Sequence, residues 1–141
     1  MPSPCKKPAE VGVMSIIVLV GNKGGAGKTT LAVNLAAGLA RHESVAVIDA
    51  DPQGSALQWR AIAGDGSAPP VAAAEADLQR QAFKLLRNYR WVVIDCPPSV
   101  HAPQTGAVLG FGDLALIPLQ PSPMDLWANV HIEQSIEDAH K

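Results

Sequence analysis

The sequence lacks the segments that would carry it to or across a membrane. None of its apolar runs approaches the ~20 residues needed to span a bilayer. Residues 1–14 contain charge and proline but no apolar stretch of the kind found in a secretory signal. We therefore expect a cytosolic protein without a membrane partner, with a disordered lead over 1–14 and one domain over 15–141. Met14 is an equally sensible first residue.

Cysteine and positive charge are also scarce. Cys5 lies in the lead and Cys96 ends an apolar run, so neither a disulfide framework nor a metal site is indicated. The formal net charge of −2 argues against a generally basic nucleic-acid-binding protein, although not against a local patch. The stretch 91–140 contains no lysine or arginine.

Apolar residues make up 48% of the 141 residues, enough for one domain with a buried core. Short apolar runs without polar alternation predict parallel strands covered on both faces, at 15–21, 45–49, 91–95 and 114–118, with a weaker one at 71–73. Helices are predicted at 29–41, at 77–89, and from a capping box at 122–125 to about 139. The pattern predicts an α/β fold: three layers around a doubly wound, mostly parallel sheet.

Residues 20–36 (VGNKGGAGKTTLAVNLA) insert a glycine-rich loop between the first strand and the first helix. The literal phosphate-loop pattern is incomplete because Asn22 stands at its first glycine, but its end is present as Gly27, Lys28 and Thr29. The glycines permit positive φ, so that loop amides and the helix N-terminus can converge on an anion. We predict that Lys28 reaches the β- and γ-phosphates and that the Thr29 hydroxyl ligates Mg²⁺. The alternative is a plain glycine-rich turn.

Aspartates follow two of the predicted strands, at the edge where a parallel sheet binds its ligands. Asp49 and Asp51 come at the end of the second strand, and Asp95 ends the strand at 91–95. A buried aspartate is costly without a partner, and a Mg²⁺ shared with nucleotide phosphates would be such a partner. Each aspartate could instead cap a following loop or helix, and for Asp49 this alternative stays fully open.

Four segments carry a resemblance to a known family. KGGAGKTTLAVNLA, VIDADPQGS and VVIDCPPS resemble the deviant Walker A, switch I and Walker B segments of the ParA/MinD family of SIMIBI-like P-loop ATPases, the ParA partition ATPases in particular. LIPLQPSPMDLWA resembles the segment after the next strand in small ParA proteins. The likeness runs from about residue 15 to 136. It departs from the family at Gly21, where family members commonly carry asparagine.

The resemblance implies a role for each motif position. Lys28 serves its own nucleotide, whereas Lys23 is the signature lysine that reaches across a dimer to the partner's ATP. Asp51 orients or activates the attacking water, which makes Lys23, Lys28 and Asp51 the catalytic set. Thr29 holds Mg²⁺ directly and Asp95 holds it through water. The nucleotide-binding set is Gly24, Gly25, Ala26, Gly27, Lys28, Thr29 and Thr30.

The family also implies a function. ATP would assemble a homodimer that associates with the nucleoid, and this dimer would bind nonspecific DNA if the full-length C-terminal part of the family is present. Slow Mg-ATP hydrolysis, stimulated by a ParB-like or other adaptor protein, would then separate the dimer and so partition plasmid, chromosome or other cargo. A metabolic ATP-dependent enzyme and an inactive truncated remnant are the alternatives, since the family continues past this chain's length. If 141 residues is the native length, we expect weak nucleotide binding with little base preference and no ATP-dependent DNA binding.

Two further features receive plain interpretations. Arg80, Lys84 and Arg87 fall on one helical face, which we interpret as solvated rather than as a DNA contact. Trp59 and Trp127 are expected to serve packing.

Overall fold

The computed structural model describes residues 13–21, 27–64, 66, 68–119 and 121–141, with the backbone alone for 125–131. Along these residues strands and helices alternate, as the apolar runs predict. The elements are β1 Ile16–Leu19, α1 Lys28–Leu39, β2 Val45–Asp49, α2 Ser55–Ala63, β3 Val71–Ala73, α3 Leu78–Leu85, β4 Trp91–Asp95, α4 Pro103–Phe111, β5 Leu114–Leu116 and α5 Pro123–Ala139.

The five strands form one sheet in the order β3-β2-β4-β1-β5, and every neighbouring pair is parallel. From β1 the chain proceeds outward through β2 to β3, then crosses back to β4 and on to β5. α1 and α2 pack together on one face, while α3, α4 and α5 pack along the other. The predicted three-layer, doubly wound α/β fold is confirmed.

The apolar strands supply both cores. In β1, Ile16 and Val18 join the cluster that contains α3 and α4, whereas Ile17 and Leu19 join the cluster beneath α1. Successive strand residues point to opposite faces, so a strand covered on both sides must be apolar throughout. This explains the absence of polar alternation in the sequence.

Two helices, α2 and α4, were not predicted from the sequence. In α2 only Ala56 is buried, so the segment has no apolar stripe to reveal it, and it begins after Gly54 at φ +66°. α4 begins with Pro103 at its first turn, a position that proline favours, but its glycines and scattered apolar residues conceal the helical period.

Some predicted bounds were too long. α1 runs over 28–39 and α3 over 78–85, where 29–41 and 77–89 were predicted. Asp77 lies just outside α3 as its N-cap and accepts a hydrogen bond from Arg80 N at 3.0 Å. β1 and β5 are likewise shorter, whereas β2, β3 and β4 match their predicted bounds.

The register aligns the carboxyl ends of the central strands. Leu19 of β1 and Asp49 of β2 both pair with Asp95 of β4. The loops that follow these three strands therefore leave the sheet at one edge, as expected of a ligand-binding edge. No helix in the described part of the chain is long and apolar enough to cross a membrane.

Candidate nucleotide site

The end of the glycine-rich loop turns directly into α1. Gly27 has φ +83° and ψ +13°, a left-handed conformation that favours glycine, and its carbonyl accepts the hydrogen bond of Leu31 N at 2.8 Å. Gly27 has the predicted positive φ. Lys23, Gly24, Gly25 and Ala26, for which loop and cross-subunit roles are expected, lie outside the described residues.

Lys28 extends inward from the first turn of α1. Its side chain is only 6% exposed, and its Nζ lies 2.6 Å from Asp95 Oδ1. It also donates to the carbonyl oxygen of Cys96. The lysine therefore spans from α1 to the carboxyl end of β4, and its charge is compensated by a fully buried carboxylate.

The second oxygen of Asp95 is also engaged. Thr29 Oγ1 donates to Asp95 Oδ2 at 2.7 Å. Asp95 is 0% exposed, so its two oxygens obtain their partners from two consecutive residues of α1. These partners lie 66 and 67 positions away in the chain, so the capping of an adjacent loop does not account for this aspartate.

A cavity of about 540 Å³ opens beside these groups. This volume lies within the range of small-molecule sites in proteins, roughly 300–1,000 Å³. Its wall combines the start of α1 with the loop after β2, with α2 and with the turn after β4. The lining residues are Gly27, Lys28, Thr29, Thr30, Val33, Asp51, Gln53, Ser55, Trp59 and Pro98. The described residues that were predicted to bind phosphate, together with Asp51, thus line one cavity.

Asp49 does not line this cavity, and its carboxylate instead accepts hydrogen bonds from two backbone amides. Its Oδ1 accepts from Asp51 N at 3.1 Å and its Oδ2 from Leu57 N, in the first turn of α2, at 3.0 Å. Burial raises the pKa of its carboxyl, and the nearby Asp95 and Asp51 charges raise it further, while the two amide hydrogen bonds act in the opposite direction. Of the two interpretations of Asp49, the structure supports capping.

Trp59 and Cys96 flank the site in different ways. Trp59 is half-buried and lines the cavity, which the sequence did not predict because the helix that carries it was not recognised. Cys96 is fully buried, and this burial raises the pKa of its thiol to about 12. A thiol with this pKa is protonated at neutral pH, so it is not a nucleophile there.

Arg80 and Lys84 on α3 and Arg87 just after it are all exposed. α3 packs against α4 rather than against the cavity. The described residues provide no contact that joins them to the site.

The family model for the CobQ/CobB/MinD/ParA nucleotide binding domain matches residues 17–114, which include β1 through the start of β5. The chain belongs to this family. Nucleotide binding is therefore the general property of the domain, in agreement with the motifs and with the cavity that they form.

The chain is similar to curated relatives of two kinds within this family. The chain is 38% identical over 122 residues to maintenance of carboxysome distribution protein A from Halothiobacillus neapolitanus, covering 84% of this chain and 56% of that protein. It is 32% identical over 151 residues to chromosome partitioning protein ParA from Caulobacter vibrioides, covering 76% and 56% respectively. The chain spans about half the length of the curated relatives it matches.

The fold is also found in solved structures. The ATP complex of an McdA variant from Cyanothece superposes with a TM-score of 0.74 at 19% identity, over 90% of this chain and 64% of that one. At this identity the likeness establishes the fold, which is that of the nucleotide-binding domain family.

Proposed function

We propose that this chain is the nucleotide-binding part of a ParA-type ATPase that acts as an ATP-dependent dimerisation switch in the partitioning of cargo. The curated relatives named for carboxysome distribution and for chromosome partitioning support this assignment. Plasmid, chromosome and protein cargo are all compatible with it. A ParB-like or other adaptor would stimulate hydrolysis. The dimer would bind nonspecific DNA in the nucleoid.

The observation that carries the proposal is the arrangement of Lys28 and Thr29, which line the cavity and are both hydrogen-bonded to the buried Asp95. Lys28 has a flexible stem and a point charge, so it can exchange the Asp95 oxygen and the Cys96 carbonyl for phosphate oxygens. The amides of the first turn of α1, which have no partner within the helix, would add further donors to a bound triphosphate. ATP would bind with its phosphates against residues 24–30.

The residues at this edge also suit Mg²⁺. The Thr29 hydroxyl donates a hydrogen bond to the Asp95 carboxylate, so two oxygen atoms that can ligate a metal already lie together. Mg²⁺ prefers oxygen ligands and retains several waters. Thr29 would hold the ion directly and Asp95 through water. A bound Mg²⁺ would neutralise phosphate charge during transfer.

Asp51 is suited to orient the attacking water. It is half-buried on the cavity wall that also includes Lys28 and Thr29. One of its oxygens, Oδ1, accepts from Gln53 N at 2.9 Å, which fixes the carboxylate relative to its own loop. A carboxylate held in this way accepts a hydrogen bond from water and directs the lone pair of that water.

Lys23 completes the proposed switch. In the dimer it would reach the phosphates of the partner's ATP, so that two ATP-bound subunits attract rather than repel each other. Hydrolysis removes this attraction and releases the subunits.

Calorimetric titration with Mg-ATP tests the assignment through Lys28→Ala. We expect wild-type binding to be lost, because the variant lacks the lysine that contacts phosphates in its own subunit. Lys84→Ala, which removes an exposed lysine from α3, is the matched control and should bind like wild type. Near-normal affinity of Lys28→Ala for Mg-ATP would show that the proposed nucleotide site is wrong.

A further inference from the structure

We infer that Asp49 is a positioning residue for hydrolysis: through two backbone hydrogen bonds it fixes the loop that carries Asp51 against the nucleotide cavity. This inference rests on the proposed function, in which Asp51 orients the water. Asp49 itself does not line the cavity, so its effect on the reaction passes through Asp51.

The loop after β2 leaves the sheet at a defined point. Ala50 N still donates to Asp95 O at 2.9 Å, which continues the sheet ladder by one residue beyond Asp49. Asp51 is the next residue, and its amide donates to the Asp49 carboxylate instead of to a neighbouring strand. The side chain of Asp49 therefore determines where the chain goes immediately after the sheet ends.

From Asp51 the hydrogen bonds continue along the loop. Asp51 Oδ1 accepts from Gln53 N at 2.9 Å, and Asp51 O accepts from Gly54 N at 2.9 Å. The other oxygen of Asp49 holds Leu57 N, at the start of the next helix, at 3.0 Å. The loop is thus attached at both ends to one buried carboxylate.

Only a carboxylate satisfies both donors. The two amides of Asp51 and Leu57 each bond a different oxygen of Asp49, and an asparagine has one oxygen and turns a donor toward the second amide. Asp49 is 3% exposed, and a buried charge is unfavourable unless its partners compensate it. The N-cap residue of α2 is Gly54, which has no side chain to cap the helix itself.

Steady-state phosphate release tests the role with Asp49→Ala and Asp49→Asn. In Asp49→Ala both attachments are lost, and we expect kcat to fall about tenfold or more while KM for Mg-ATP stays within about twofold, because orientation of the water is lost and phosphate binding is retained. Asp49→Asn should lie between Asp49→Ala and wild type, since one acceptor remains. Asp77→Ala removes the N-cap of α3 and is the matched control, with kcat unchanged.

A double variant separates positioning from general stability. If Asp49 acts through Asp51, adding Asp49→Ala to Asp51→Ala leaves unchanged the trace of phosphate release that remains in Asp51→Ala, which is followed with radiolabelled ATP over long incubations. A further fall in the double variant, or an unchanged kcat in folded Asp49→Ala, overturns the inference. If Asp49→Ala does not fold, Asp49→Asn is compared with wild type in the same way, and an unchanged kcat then overturns it.

Amide hydrogen exchange distinguishes failure of this inference from failure of the proposed function. In nucleotide-free protein, the Asp51 and Leu57 amides should exchange faster in the Asp49 variants, whereas the Arg80 amide should change only in Asp77→Ala. If the Asp49 variants show this faster exchange but the wild-type protein has no ATPase activity, the attachment of the loop by Asp49 is confirmed and the proposed function is wrong. Unchanged exchange at Asp51 would reject the attachment.

Discussion

Removal of Asp95 should destabilise the nucleotide-free protein through the lysine it leaves behind. Lys28 is 6% exposed and Asp95 is 0% exposed, and their Nζ and Oδ1 atoms lie 2.6 Å apart. In Asp95→Ala the lysine keeps only the Cys96 carbonyl as a described partner, and the Thr29 hydroxyl loses its acceptor. Breaking a buried pair from one side costs about 3–5 kcal/mol, because a buried charge remains uncompensated.

The predicted loss is large enough to measure by thermal unfolding. At roughly 4 °C per kcal/mol for a domain of this size, the midpoint of Asp95→Ala should fall by about 12–20 °C. Adding Lys28→Met removes the orphaned charge, so the double variant should return to within about 2 kcal/mol of wild type. The control is Asp138→Ala, which breaks the exposed Lys141–Asp138 pair and should leave the midpoint unchanged.

The double-variant cycle also provides the refutation. If Asp95→Ala combined with Lys28→Met is as unstable as Asp95→Ala alone, the cost does not come from an uncompensated lysine. An Asp95→Ala midpoint equal to that of Asp138→Ala would show that the pair contributes no more than a surface pair. Both measurements are made without nucleotide, so they do not depend on the proposed function.

Other predictions concern the switch and the thiol. Lys23→Gln should bind nucleotide and fail to dimerise with ATP, and light scattering with a non-hydrolysable analogue would show dimers if the cross-subunit role is wrong. Asp51→Ala should bind ATP and dimerise without hydrolysis, so phosphate release at the wild-type rate would rule Asp51 out. Cys96, whose thiol pKa is raised to about 12, should resist iodoacetamide at pH 8 in folded protein and react once urea unfolds it; equal labelling in both states would contradict its burial.

α5 lies beyond residue 114, where the match to the family model ends. α5 nevertheless packs on α4, and Ile132 is fully buried in the same core cluster as β1 and β4. A helix that buries such a residue belongs to the folded domain rather than to a tail.

Local pattern was sufficient to predict the sheet and the junction between the glycine-rich loop and α1. β2, β3 and β4 match their predicted bounds. A strand that is covered on both faces is a continuous apolar run, which can be recognised in the sequence without knowing which strands pair with it. Gly27, Lys28 and Thr29 were recognisable because their chemistry depends on spacing along the chain, as a loop that turns into a helix. α2 was missed because only Ala56 of this helix is buried. α4 was missed because one residue of its buried face, Thr105, is polar, and because its apolar residues 107–109 are consecutive rather than spaced at the helical period.

The meeting of distant groups was decided by tertiary structure alone. Asp95 obtains Lys28 and Thr29 as partners because parallel pairing brings the ends of β1 and β4 to one level. The pattern of residues alone did not decide between a ligand-binding and a capping role for Asp49, the last residue of β2. In the structure Asp51 lines the cavity, whereas Asp49 accepts hydrogen bonds from two backbone amides. What separates them is the point at which the sheet ladder ends: the Asp49 side chain remains enclosed by the sheet and α2, and the Asp51 side chain lies one residue beyond the last ladder hydrogen bond.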